Sequence, residues 1–202
     1  TGGDAECPES GCETAELGAS AFRSGPRLKA ITLRAESGAE VLDGWHDTQI
    51  GLECEFHRAE DGVQRCLPTF AGAYFSDPAC TEAYVTGGGI EIPPGPAYGE
   101  MYIPTGVCDG ESYGYVFQRI GVDPVALQQT YLKSGSDCLP NDVTGEHETI
   151  GYAAVYVPPT TFVAGVPQYE ALGDDLGRLI SVHDDGSLHA LSAAGPDGAP
   201  CD

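Results

Sequence analysis

The chain has 202 residues, with nine Lys and Arg against thirty-one Asp and Glu, a formal charge of −22. That charge excludes nucleic acid and anionic membranes as partners, since both are bound through basic residues that neutralise phosphate. Hydrophobic residues at 41% exclude disorder throughout, 28 Gly and 15 Pro mark a turn-rich fold, and the length suits one domain with a real core.

Residues 1–21 are acidic, small and without apolar periodicity, and read as a flexible tail or tether ahead of a single domain at 22–202. The start at Thr1, with no Met, reads as a processed product. From residue 27 the chain alternates in period two over 27–34, turns at Glu36-Ser-Gly38, and continues over 40–45. The only basic cluster, Arg23, Arg27, Lys29 and Arg34, falls here and reads as local neutralisation. Similar runs follow at 52–58, 63–67, 71–76, 82–86, 99–103, 113–120, 127–132, 150–157, 161–164, 178–183 and 187–191. Residues 124–131 are the best helical candidate, and strand is preferred even there. The longest apolar run, 150–157, stops at Pro158-Pro159, far short of the roughly 20 residues that span a bilayer. The reading is all-β.

A loose internal repeat runs through Tyr98-Gly-Glu-Met-Tyr102, Tyr113-Gly-Tyr-Val-Phe117 and Tyr152-Ala-Ala-Val-Tyr156. A turn element recurs at Tyr74 to Cys80, Tyr131 to Cys138 and Val182 to Leu188. The roughly forty-residue spacing favours a compact, propeller-like repeat of hairpins, with a barrel or a Greek-key sandwich as alternatives. Eight cysteines, Cys7, Cys12, Cys54, Cys66, Cys80, Cys108, Cys138 and Cys201, are spread along the chain with no C-x2-C pair. That pattern favours disulfides over zinc thiolates and an oxidising, extracytoplasmic compartment. Cys54 and Cys66 lie almost symmetrically about the Glu60-Asp61-Gly62 turn, the one pairing the sequence suggests.

The run Gly44-Trp45-His46-Asp47-Thr48, then Cys54-Glu-Phe56, Asp61-Gly62, Arg65-Cys66-Leu67-Pro68 and Tyr74-Phe-x-Asp77-x-x-Cys80, resembles a family of myxobacterial secreted lipoproteins. The layout resembles it over 27–190, and specific residues over 44–80 only. The resemblance implies a life outside the cytoplasm, often on a lipidated cysteine, which position 1 here lacks. That family has no assigned activity, so no catalytic residue carries over.

No nucleophile elbow, zincin helix, phosphate loop or haem motif occurs. His46-Asp47 beside Trp45 has the makings of a carboxylate-oriented imidazole; the plainer reading is a Trp anchor with a polar turn. His183 and His189 flank Asp184-Asp185-Gly186, so they could face each other across a hairpin and bind a metal with Asp184 or Asp185, although a structural turn is the simpler account. Glu146-His147-Glu148 reads as a solvated loop. Acidic turns such as Asp61, Asp109 and Asp174 suit Ca²⁺ without forming a spaced calcium loop, so no cofactor is expected beyond that cation. Tyr98, Tyr102, Tyr113, Tyr115, Tyr152 and Tyr156 could line a recognition face; the plain alternative is that tyrosine fills the rims of small β cores.

The sequence therefore points to an extracytoplasmic, disulfide-stapled binding or structural module, secreted or surface-attached. Its sites would be Trp45, His46, Asp47, Tyr98, Tyr113 and Tyr152, and its partner a protein or carbohydrate, with cationic ones favoured by the field. Competing readings are a hydrolase using carboxylates or a metal held by His46, His57, His183 and His189, and a subunit of an extracellular assembly.

Overall fold

Alternation of apolar and polar residues makes strands because alternate side chains can then share one interior. The computed structural model describes residues 21–68, 71–86, 97–104, 112–134, 137–141, 149–172 and 177–194. Strands β1 (Phe22–Arg23), β2 (Leu28–Arg34), β3 (Glu40–Asp47), β4 (Leu52–Arg58) and β5 (Gln64–Leu67) come first. The middle of the chain forms β6 (Gly72–Phe75), β7 (Ala83–Thr86), β8 (Tyr98–Pro104), β9 (Ser112–Arg119), β10 (Val125–Leu127), β11 (Thr130–Ser134), β12 (Asp137–Asn141) and β13 (Thr149–Val157). A 3-10 turn at Pro159–Thr161 leads into β14 (Ala164–Ala171), β15 (Gly177–His183) and β16 (Leu188–Ala194). The fold is all-β, with no α-helix among the described residues.

The two ends of the chain build one sheet, in the order β1-β16-β15-β14-β5-β4-β3-β2. Its end strands β1 and β2 are joined by only residues 24–27. The Asp185 carboxylate, in the β15–β16 turn, accepts hydrogen bonds from the backbone N–H of Leu28 at 2.7 Å and Arg27 at 3.2 Å. The sheet is thus drawn nearly shut around Leu28, Trp45, Cys54, Cys66 and Val163.

The middle strands close completely. β13 pairs β9, β9 pairs β8, β8 runs parallel to β6, β6 pairs β7, and β7 returns to β13. This five-stranded ring encloses Ala73, Phe75, Val85, Met101, Ile103 and Phe117. The β11–β12 hairpin hangs from β6 through Tyr131 and Phe75. A second apolar layer, Ala59, Leu67, Tyr98, Val116 and Phe162, fills the seam between ring and sheet, where Ala59 and Gly114 form a bridge.

Of the expected arrangements the barrel describes the molecule, and no four-stranded blade forms among the described residues. The Tyr repeat lies on β8, β9 and β13, which are neighbours in one ring and not equivalents in successive blades. Its turn element marks hairpins, and the cysteines ending its first two copies are bonded, Cys80 to Cys138. Cys54 bonds Cys66, as their place about the turn suggested. Cys7, Cys12, Cys108 and Cys201 lie outside the described residues, as do residues 1–20 of the expected tail and the Glu146-His147-Glu148 loop. The strand expected at 161–164 is instead the end of the 3-10 turn and the start of β14, since Pro158 and Pro159 cannot donate to a ladder.

Candidate functional site

At one end of the ring lies a cavity of about 490 Å³. Its floor is apolar: Phe75, Met101 and Phe117 reach it from β6, β8 and β9, and Ala83 and Ala154 from β7 and β13. Tyr115, Tyr156, Lys133 and Glu60 stand around it. The Lys133 ammonium sits 5.6 Å from the centre of the Tyr115 ring. Burial raises the Glu60 carboxyl above its ordinary range, against the lowering pull of Lys133. The Cys80–Cys138 disulfide fastens the β6–β7 loop beside it, and Asp77 stiffens that loop by accepting from the N–H groups of Ala79, Thr81 and Glu82. A chamber of this size, with an apolar floor and a mouth of polar and charged groups, has the form of a small-ligand or side-chain pocket.

Inside the nearly closed sheet, the β15–β16 hairpin assembles a chain of polar groups. Ser187 Oγ donates to Asp185 Oδ1 at 2.5 Å and lies 2.6 Å from His183 Nδ1, and His183 Nε2 lies 3.2 Å from His189 Nδ1. The hydroxyl proton is committed to Asp185, so Ser187 accepts from His183 Nδ1–H. His183 Nε2 then accepts from His189 Nδ1–H, which fixes both tautomers. Phe56 stacks on His183 at 4.1 Å and Trp45 meets it edge-on at 5.3 Å. Burial, helped by the nearness of His189, pushes His183 down to about 4, and burial lowers His189 too. Burial works against ionisation of Asp185, but hydrogen bonds from Leu28, Ser187 and Arg27 outweigh it and hold the carboxyl below its usual range. The chain carries two neutral imidazoles at neutral pH. Among the described residues no group of three or more His, Cys, Asp or Glu side chains is placed to hold a metal.

The expected site residues separate. Trp45 is buried in the core. Asp47 turns inward with it, fully buried, and is gripped by Arg27, whose Nη2 lies 2.6 Å from Oδ2. His46 and His57 point to the opposite face of the sheet from Trp45 and Phe56, their strand neighbours, and so away from His183. His57 instead meets Glu55 at 3.5 Å and the Tyr102 ring at 5.6 Å. Asp184 is exposed at the turn. Tyr98 is enclosed in the seam against Phe162, while Tyr113 and Tyr152 carry Arg58 and Arg119 over their rings.

The seam also holds Glu100, 9% exposed, whose Oε1 is buried with no hydrogen-bond partner among the described residues. A Cβ on Gly114 would stand 2.8 Å from that oxygen, so the glycine makes its room. Burial pushes the carboxyl up to about 7, against a hydrogen bond from Tyr102 that lowers it and with Glu55 raising it further. Burial and Glu100 raise the Tyr102 hydroxyl well above its ordinary range.

Residues 8–192 match the profile of a family of unknown function, DUF7481. The chain belongs to DUF7481. Neither the curated proteins nor the solved structures contain a match to it. For this DUF7481 chain, the sequence marks Glu60 only as part of an acidic turn and singles out neither Glu100 nor Lys133. Glu100 had a signal: Tyr98, Glu100 and Tyr102 share one face of a strand, a carboxyl set among aromatics. Lys133 had none, and nothing local sets it beside Glu60, because the β11–β12 hairpin and the β4–β5 turn meet at the cavity only through the tertiary fold.

Proposed function

We propose that this chain is an extracytoplasmic binding module whose ligand seats in the ring cavity. The carrying observation is that chamber of about 490 Å³, with Phe75, Met101 and Phe117 as its floor and Tyr115, Tyr156 and Lys133 at its rim. Work outside the cytoplasm is supported by the Cys54–Cys66 and Cys80–Cys138 disulfides. Secretion, and a tether through the acidic N-terminal segment, belong to the same reading. The negative field of the chain favours cationic partners.

A metal-dependent hydrolase fits less well, because only His183 and His189 of the four candidate histidines share a cluster. Titration with indole, followed by two-dimensional NMR, tests the binding reading. Saturable shifts are expected at Met101, Tyr115 and Ala154, and their loss in Ala154→Phe, which fills the chamber. Absence of saturable shifts at those residues at millimolar indole, in a folded wild-type protein, would refute it.

A further inference from the structure

The wall of the cavity is split along one strand. β13 pairs β7 through Gly151, Tyr152 and Ala153, and on its other side it pairs β9 through Ala154, Val155, Tyr156 and Val157. The β7 ladder stops at Ala153, so beyond it no described strand occupies that edge of β13. The Ala153 carbonyl accepts from Ile120 N–H at 2.8 Å and Gly121 N–H at 3.0 Å, so it faces the β9 side. Backbone groups alternate along a strand, so the Ala153–Tyr84 pair is a non-hydrogen-bonded one that takes the Ala154 N–H to Ala83, and the Ala154 C=O and the N–H and C=O of Tyr156 are left aimed at the open edge. Val155 and Tyr156 are exposed, at 43% and 42%. Ala83 on one side of the split and Ala154, Val155 and Tyr156 on the other all line the cavity.

We infer that this edge binds an extended peptide by strand addition, with one apolar side chain of the peptide seated in the cavity and basic residues flanking it. The inference rests on the cavity being the binding site and adds what occupies it. The Ala154 carbonyl and the Tyr156 N–H and C=O beside a chamber with an apolar floor are the two halves of such recognition: main-chain bonds hold the peptide, and a pocket reads alternate side chains. A carbohydrate offers neither the ladder nor the apolar group for a floor of Phe75, Met101 and Phe117. A second copy of this chain would bring −22 against −22. A basic peptide is instead drawn in by the field.

The test is selection of a random heptapeptide display library on the wild-type protein, followed by synthesis of the enriched sequence. The expected peptide carries Lys or Arg and one fixed apolar or aromatic position. Its affinity should fall at least tenfold with Ala154→Phe, and at least tenfold when one of its backbone amides beside the apolar residue is N-methylated. Indole should compete with it. Equal affinity after methylation at every position would overturn strand addition while leaving the cavity as the binding site. Enrichment of nothing, with indole still bound, would overturn the peptide; failure of both would remove the cavity reading as well. A concentration-dependent dimer in light scattering, dissociated by indole, would assign the edge to a second copy and overturn the inference.

Discussion

Glu100 sits where a carboxylate is least expected, in the apolar seam with its free oxygen beside the space that Gly114 leaves open. The groups facing it are the Tyr102 hydroxyl on its own strand and Glu55 across the seam, with His57 beyond Tyr102. Its folded value of about 7 exceeds the ordinary 4.5, so the native state holds a proton that the unfolded chain gives up. Its contribution is therefore complete below pH 4.5, declines as pH rises toward 7, and is level above that. The shift corresponds to about 3 kcal/mol of stability lost across the window. His183 acts the other way, because a neutral imidazole is required and stability falls as pH drops from 6.5 toward 4. Comparing wild type with Glu100→Gln cancels that second effect. In urea unfolding at pH 4.5 and pH 8, the wild type should lose about 3 kcal/mol relative to the variant between the two conditions. A difference that stays constant with pH would show that Glu100 does not keep its proton.

At the level of elements, alternation is a local property, and most strands were legible from it. The 113–120 run became β9 and the 150–157 run became β13 nearly residue for residue. β14 was not legible, since residues 166–169 are all exposed and leave no two-fold pattern to read. β12 was hidden for a similar reason, and it carries Pro140. Ring closure was illegible because it rests on pairings between distant segments, β6 with β8 and β7 with β13, which no local pattern encodes. The candidate site shared that fate: the tyrosines were visible as a repeat, but which of them faced the cavity depended on closure. Gly99 shows how tightly the ring is drawn. A Cβ there would stand 2.8 Å from Val85 Cγ2 and 3.0 Å from the Gly72 carbonyl, on the strand crossing that closes the barrel. Gly99→Ala should cost about 1–3 kcal/mol in urea unfolding, as overpacking does. Gly44→Ala meets nothing within 4 Å and serves as the matched comparison. It should be neutral or slightly stabilising, since alanine restricts the unfolded chain. Equal effects at the two positions would mean that the barrel closes less tightly than its register indicates.

Taken whole, the chain carries thirty-one acids and is rich in Gly and Pro. Self-repulsion and unfolded-state entropy both oppose its folding, and the cross-links offset the second. The two disulfides among the described residues do this differently. Cys80 and Cys138 are 58 residues apart, and Cys54 and Cys66 only 12. Loop entropy alone ranks the long closure first, at about 4 against about 3 kcal/mol. Packing reverses the order. Cys54 and Cys66 are 1% and 0% exposed, against Trp45, while Cys80 and Cys138 are only half-buried. Truncating two buried side chains forfeits a further 1–2 kcal/mol or so, more than the roughly 1 kcal/mol by which the entropies differ. The pair Cys54→Ala with Cys66→Ala should therefore melt below the pair Cys80→Ala with Cys138→Ala. Both should melt below wild type by on the order of 10 °C or more at this chain length. Added salt should raise all three melting temperatures by screening the acids and leave their order unchanged. A calorimetric scan that places the Cys80 and Cys138 variant lowest would mean that loop entropy, and not the packing around Trp45, governs how the cross-links stabilise this fold.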